Sequence, residues 1–190
     1  PAALIQLAFP RMVFGPTHRY GTSANGLPAT IEALTADDLK AFYRAHFRPD
    51  HATLLVVGDL TSAGALPMLE KAFGGWKADG MAALVAAVPN APQLDRRHVY
   101  LVDKPEAAQS QIRIGWVGVA RSTPDHAVLE VLNTVLGGSF TSRLNQNLRE
   151  KNGYAYGASS AFAMRMSAGP FLAAAGVQTD KTAEALREFF

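Results

Sequence analysis

The sequence predicts an α+β protein, with layered lobes in which helices cover one face of a mainly antiparallel sheet. Three patterns carry that reading. Residues 52–58, ATLLVVG, form an apolar run of strand length between two helical periods. Ile112, Ile114 and Trp116 alternate with Gln111, Arg113 and Gly115, the period of a half-buried strand. Beyond them, two helical segments are followed by two more strand-like runs, a grouping typical of α+β architecture rather than of alternating βα units.

Composition narrows the function. The chain has 190 residues, 48% of them hydrophobic and 18% charged, which suits one large globular domain or parts of two. No stretch reaches the roughly 18 apolar residues a membrane-crossing helix needs. A net charge of +2 without a basic cluster gives no electrostatic footprint for nucleic acid. The lack of Cys excludes disulfides, thiolate catalysis and Cys-based zinc sites, and leaves the compartment undecided.

Residues 1–30 open with a short apolar segment and continue as a loop punctuated by Gly15, Pro16, Gly21, Gly26 and Pro28. Thr35 with Asp38 reads as an N-cap and its acidic partner, ahead of a helix that aligns Leu39, Phe42, Tyr43 and Phe47. After Arg48-Pro49-Asp50 comes the 52–58 run, expected as a buried strand, and then a helix over 63–73 if Pro67 falls in its first turn. The segment 77–97 has two prolines and no period, and reads as a linker. Strands are expected at 98–103 and 109–120. Thr123-Pro124 should then open a helix with the stripe Val128, Val131, Leu132, Val135 and Leu136, ended by Gly137-Gly138. A second helix bearing Arg149 precedes strands over about 154–166 and 170–178. A final amphipathic helix (Ala183, Leu186, Phe189, Phe190) breaks off at the last residue, as in a fragment of a longer protein.

The most informative stretch is 137–158, GGSFTSRLNQNLREKNGYAYGA. A hydroxyl residue caps the helix, Arg149 lies in its last turn, Gly153 makes the turn, and the following strand points Tyr154 and Tyr156 to one side. Arg149 and Tyr156, seven residues apart across that corner, place a guanidinium near a phenol. Both donate hydrogen bonds, and neither serves as nucleophile or base at neutral pH. Such a pair suits a peptide carbonyl or the oxyanion it becomes, while another group performs the attack. The plainer alternative is an Arg satisfying a helix terminus beside a half-buried strand Tyr. The histidines, His18, His46, His51, His98 and His126, form neither H-E-x-x-H nor H-x-x-E-H, so no metal ligand is assigned. Serine nucleophile and phosphate-loop motifs are likewise missing.

The segments HRYG at 18–21, LTADDLKAFYRAHFRPDHATLLVVGDL at 34–60, and 137–158 together resemble the pitrilysin/insulinase family of zinc metallopeptidases, relatives of the mitochondrial processing peptidases. Within that family the match is to the bacterial type and to its C-terminal, inactive peptidase block. The resemblance implies the end of a zinc-bearing α/β domain at 1–76, a linker at 77–97, and the first part of a second lobe at 98–190. It places zinc on a parent or partner chain and none on this one, with the metal motif upstream of Pro1. Tyr156 would donate its hydroxyl to the tetrahedral oxyanion, and Arg149 would bind the substrate's backbone carbonyl and orient the tyrosine. The implied partners are a peptide substrate and a zinc-bearing lobe or partner subunit in a homo- or heterodimer. A metal-free, non-catalytic partner chain that binds peptide or scaffolds a peptidase heterodimer is the other reading the resemblance allows.

Overall fold

Nine residues, PFLAAAGVQ, form the strand on which the larger part of the molecule is built. In the computed structural model, which describes residues 1–78, 87–91 and 93–190, this strand, β3 (Pro170–Gln178), runs antiparallel between β1 (Gln109–Val117) and β2 (Ala155–Phe162). Every second residue of β3 from Phe171 to Val177 is buried, and the small Ala173 and Ala175 let helices come close to the sheet. The β1 register sets Ile112 against Ala175, Ile114 against Ala173 and Trp116 against Phe171, so the alternation read from the sequence turns Ile112 and Ile114 to the core, while Trp116 stays half exposed against the Phe171 ring. Ile112, Leu144, Leu148, Phe171 and Val177 are the larger members of that core.

The backbone divides into two compact units, Pro1–Asn25 with Val88–Phe190, and Gly26–Ala87. Part of the expected linker at 77–97, residues 79–86 and 92, lies outside the described residues. In the first unit, α1 (Ala2–Phe14) replaces the short segment expected before the loop. Its Phe9, Val13 and Phe14 pack with Val117, and Phe9 comes so near Gly115 that a Cβ there would sit 2.8 Å from the ring. His18 and Tyr20 tie the following turn down. His18 Nδ1 accepts the Tyr20 N–H at 3.0 Å, its Nε2 donates to the Pro89 carbonyl at 2.8 Å, and the Tyr20 hydroxyl accepts the Ser167 N–H at 3.2 Å.

In the second unit, α2 (Pro28–Glu32) is a single short helix and α3 (Ala36–His46) starts as the sequence predicts. Thr35 Oγ1 accepts from the Asp38 N–H, and the Asp38 carboxylate accepts from the Thr35 backbone and hydroxyl, which holds that carboxyl below its usual range. Helix α4 (Ser62–Phe73) is capped by Thr61 but carries Pro67 in its second turn, not its first. The 52–58 run is neither a strand nor buried; Val57 is 97% exposed. A strand exists only where a neighbour takes its N–H and C=O groups, and no other strand is described in this unit. In the first unit, residues 98–103 pair with none of the three described strands and are irregular and exposed despite their strand-like composition.

Between β1 and β2 the chain runs through two helices whose C-terminal turns widen to π geometry. Helix α5 (His126–Asn133) continues through Thr134–Gly138, and α6 (Arg143–Asn145) through Gln146–Lys151. Helix α5 begins after Asp125, two residues later than expected, although Thr123 Oγ1 still accepts the Asp125 N–H at 3.3 Å. Of its predicted stripe only Leu136 packs against the core; Val128, Val131, Leu132 and Val135 are exposed. A last helix, α7 (Thr182–Phe189), lays Ala185 and Phe189 on the sheet. Leu148, 0% exposed, is the residue that fastens the Arg149 segment to β3. Leu148→Ala should therefore cost about 3 kcal/mol, read by denaturant unfolding, whereas Val131→Ala should change stability by less than about 0.5 kcal/mol.

Candidate functional site

The groove beside β2 begins with a glycine that no other residue can replace without displacing backbone. A Cβ on Gly137 would stand 2.4 Å from both the Ser160 N and its Oγ, so the α5 segment ends hard against β2. The contact is pinned by the Ser160 hydroxyl, which donates to Asn133 Oδ1 at 2.7 Å. Ser139 and Phe140 then lead to Ser142, whose extended backbone occupies the N-cap of α6. Its buried hydroxyl makes no cap bond, and in this respect the expected hydroxyl cap is only positional.

The helix ends as the sequence implies. Gly153 adopts φ +64, and its N–H donates to the Arg149 carbonyl at 3.0 Å, while the Tyr154 N–H reaches the Leu148 carbonyl at 2.8 Å. Past this corner the two tyrosines part company. Tyr154 packs against the core, whereas Tyr156 is 86% exposed, so they do not share a side as expected. The reason is a β-bulge. Ala155 pairs with Val177 and Ala158 with Ala175, so Tyr156 and Gly157 together oppose Gly176. One extra residue bends the strand and re-aims the side chains it carries.

Arg149 and Tyr156 are brought together. The guanidinium carbon lies 4.3 Å from the centre of the Phe140 ring and 5.3 Å from that of Tyr156. Both distances are within cation–π range. Arg149 Nε is also 3.6 Å from Glu150 Oε1, a solvent-accessible pair of a half-buried Arg149 and an exposed Glu150 that contributes little. The three side chains line an open groove of about 430 Å³, walled by Gly137–Phe140 on one side and Tyr156–Ser159 on the other. Chemically it offers an N–H fork and a phenol O–H aimed from a partly apolar wall, donors for an oxygen that carries or gains negative charge.

Two residues of the groove escaped the sequence reading. Phe140 gives the guanidinium its flat support, and Asn145 joins the helix to β2 through bonds to Ser139 and Ala158. The only trace of Asn145 is a polar residue between Leu144 and Leu148 on the apolar face of a helix.

Among the described residues the donor set does not fit zinc. His18 spends both ring nitrogens within the fold, and the His46 ring lies tilted against Phe42 at 4.4 Å between centroids. His98 and His126 each lie beside a single carboxylate, at 3.8 Å and 3.9 Å. Among the described residues no three His, Asp or Glu side chains gather as ligands would. Nor is any described helix long and apolar enough to cross a membrane.

A sequence profile described as "Peptidase M16 inactive domain" matches residues 33–190. The chain belongs to the M16 peptidase family. It is 33% identical over 161 residues to the uncharacterized zinc protease SCO5738 of Streptomyces coelicolor, a match that covers 82% of this chain and 34% of that relative. Its fold is that of a Helicobacter pylori protease, with a TM-score of 0.88 and 26% identity over 99% of this chain and 45% of the other. An M16 inactive domain from Pseudomonas fluorescens superposes with a TM-score of 0.85 at 24% identity, covering 98% of this chain and 44% of that one. The chain thus spans about a third of the length of the curated M16 relative and under half of each solved chain.

The packing of the groove wall has a direct consequence. Gly137→Ala should destabilise the fold by about 1–3 kcal/mol in denaturant unfolding, because the clash is with backbone. Gly157→Ala, whose Cβ would meet only Asn145 Oδ1 at 3.7 Å, should cost less than about 1 kcal/mol.

Proposed function

We propose that this chain supplies the substrate- and oxyanion-contacting donors of an M16 zinc metalloendopeptidase acting on peptides or proteins. The observation that carries the reading is the convergence of an exposed Tyr156 phenol and the Arg149 guanidinium on one open groove. Arg149 would grip a backbone carbonyl of the peptide through its planar fork, and its stacking on Phe140 limits the entropy lost when it does so. Tyr156 would give its O–H to the oxygen that becomes negative as the scissile carbonyl turns tetrahedral.

Zinc is named for the relatives, and its ligands would come from another lobe of the parent protein or from a partner subunit. The role proposed for this chain is confined to its own donors. A homo- or heterodimer, or a closed two-lobed chain, would bring the two halves together. The domain limits that accompany this reading are a zinc-lobe end at 1–76, a linker at 77–97 and the Arg/Tyr lobe at 98–190.

The word "inactive" in the description of the matching profile favours a second reading, a metal-free partner that binds peptide or scaffolds a peptidase without hydrolysing anything. Kinetics of the full-length protein, or of the reconstituted pair, separate the two. On the first reading Tyr156→Phe lowers kcat about a hundredfold or more with little change in KM, since the lost bond forms only in the transition state. Arg149→Lys, which keeps the charge but loses the fork and the stacking, should lower kcat/KM at least tenfold. Unchanged hydrolysis by a folded Tyr156→Phe protein refutes the first reading; peptide binding that weakens on Arg149→Ala without any hydrolysis in the parent supports the second.

A further inference from the structure

Asn145 is an amide where the packing calls for a hydrocarbon. It lies on the core side of α6, 7% exposed, between the buried Leu144 and Leu148. Burying an amide costs free energy unless its hydrogen bonds are recovered, and here they are. Oδ1 accepts the Ala158 N–H at 2.9 Å, and Nδ2 donates to the Ser139 carbonyl at 3.2 Å, with Ser142 Oγ at 3.5 Å.

These bonds join the three segments that build the groove. Ser139 precedes Phe140, the support of the guanidinium. Asn145 itself stands one helical turn before Arg149, on the same side of the helix. Ala158 is the first residue after the bulge that carries Tyr156 and Gly157. The Ala158 N–H has to go somewhere, because β2 is an edge strand whose outward groups find no partner in β3. By taking that N–H, Asn145 fixes the point at which the bulged strand returns to its register, and with it the distance between helix and phenol.

We infer that Asn145 is the positioning residue of the Arg149–Tyr156 pair, acting on turnover through Ala158 without touching the substrate. The inference rests on the donor role proposed above for Tyr156. Its physical basis is that oxyanion donors must hold their place to within about half an ångström, and a displacement of about 1 Å can cost on the order of a hundredfold in rate.

The test is a mutant cycle in the full-length enzyme or reconstituted pair, with Asn145→Ala and Asn145→Asp each made with and without Tyr156→Phe. Asn145→Ala should lower kcat at least tenfold while KM stays within about threefold, and should lose most of that effect once Tyr156→Phe is present. Amide exchange at Ala158 should speed up in the same variant, a readout independent of hydrolysis. Asn145→Asp keeps an acceptor for Ala158 and loses the donor to Ser139, so it should retain the full Tyr156→Phe penalty. That variant decides the matter if Asn145→Ala fails to fold: a penalty that disappears despite the retained acceptor overturns the inference. An Asn145→Ala loss of equal size in both backgrounds marks a merely structural residue and also overturns it. If Tyr156→Phe alone is silent, the donor role falls first and the positioning role with it; if Tyr156→Phe bites and Asn145→Ala does not, only the positioning role falls.

Discussion

Everything in the candidate site hangs on the corner between α6 and β2. The helix leads into this corner with Leu148 sunk in the core, and the chain turns at Gly153 in a left-handed conformation that a Cβ would strain. The Leu148 carbonyl then receives the Tyr154 N–H, so the residue that anchors the helix also fixes the start of the strand. Arg149 is the neighbour of that anchor, and Tyr156 follows two residues after the point it holds. Neither side chain is itself buried in the core; each borrows rigidity from the residue beside it.

Two further devices narrow the freedom that the corner leaves. The bulge at Tyr156 and Gly157 bends β2 away from a regular ladder, and the close passage of Gly137 against Ser160 sets the opposite wall. Between them Phe140 and Arg149 stack, which orients a long and otherwise mobile side chain at modest energetic cost. The outcome is an open groove onto which the Arg149 guanidinium and the Tyr156 phenol converge.

Much of the sheet was legible because its signals are local. Alternation in β1, the Thr35–Asp38 capping pair and the Gly153 turn each depend on neighbours within a few residues, and all three appear where the sequence places them. The failures are of another kind. Residues 52–58 and 98–103 have the composition of strands, but pairing is a property of two segments, and no partner is described for either. Pro67 sits deeper in its helix than propensity allows, since the apolar residues around it still favour the helical turn. Parity along β2 misled for a specific reason: Tyr156 itself stands in the bulge, where it and Gly157 together oppose Gly176, and nothing in the local pattern announces that. Asn145 and Phe140 were hidden because their importance lies in contacts six to thirteen residues away, in segments that meet only in the fold.

The most direct examination of the donor role is a crystal structure of the full-length protein with a phosphinic peptide, whose tetrahedral phosphorus mimics the hydrated carbonyl. One phosphinyl oxygen should lie about 2.7–3.1 Å from the Tyr156 hydroxyl, with the Arg149 fork on a backbone carbonyl of the same peptide. A bound inhibitor that leaves both side chains in solvent, or is held by a different wall of the molecule, would contradict that role.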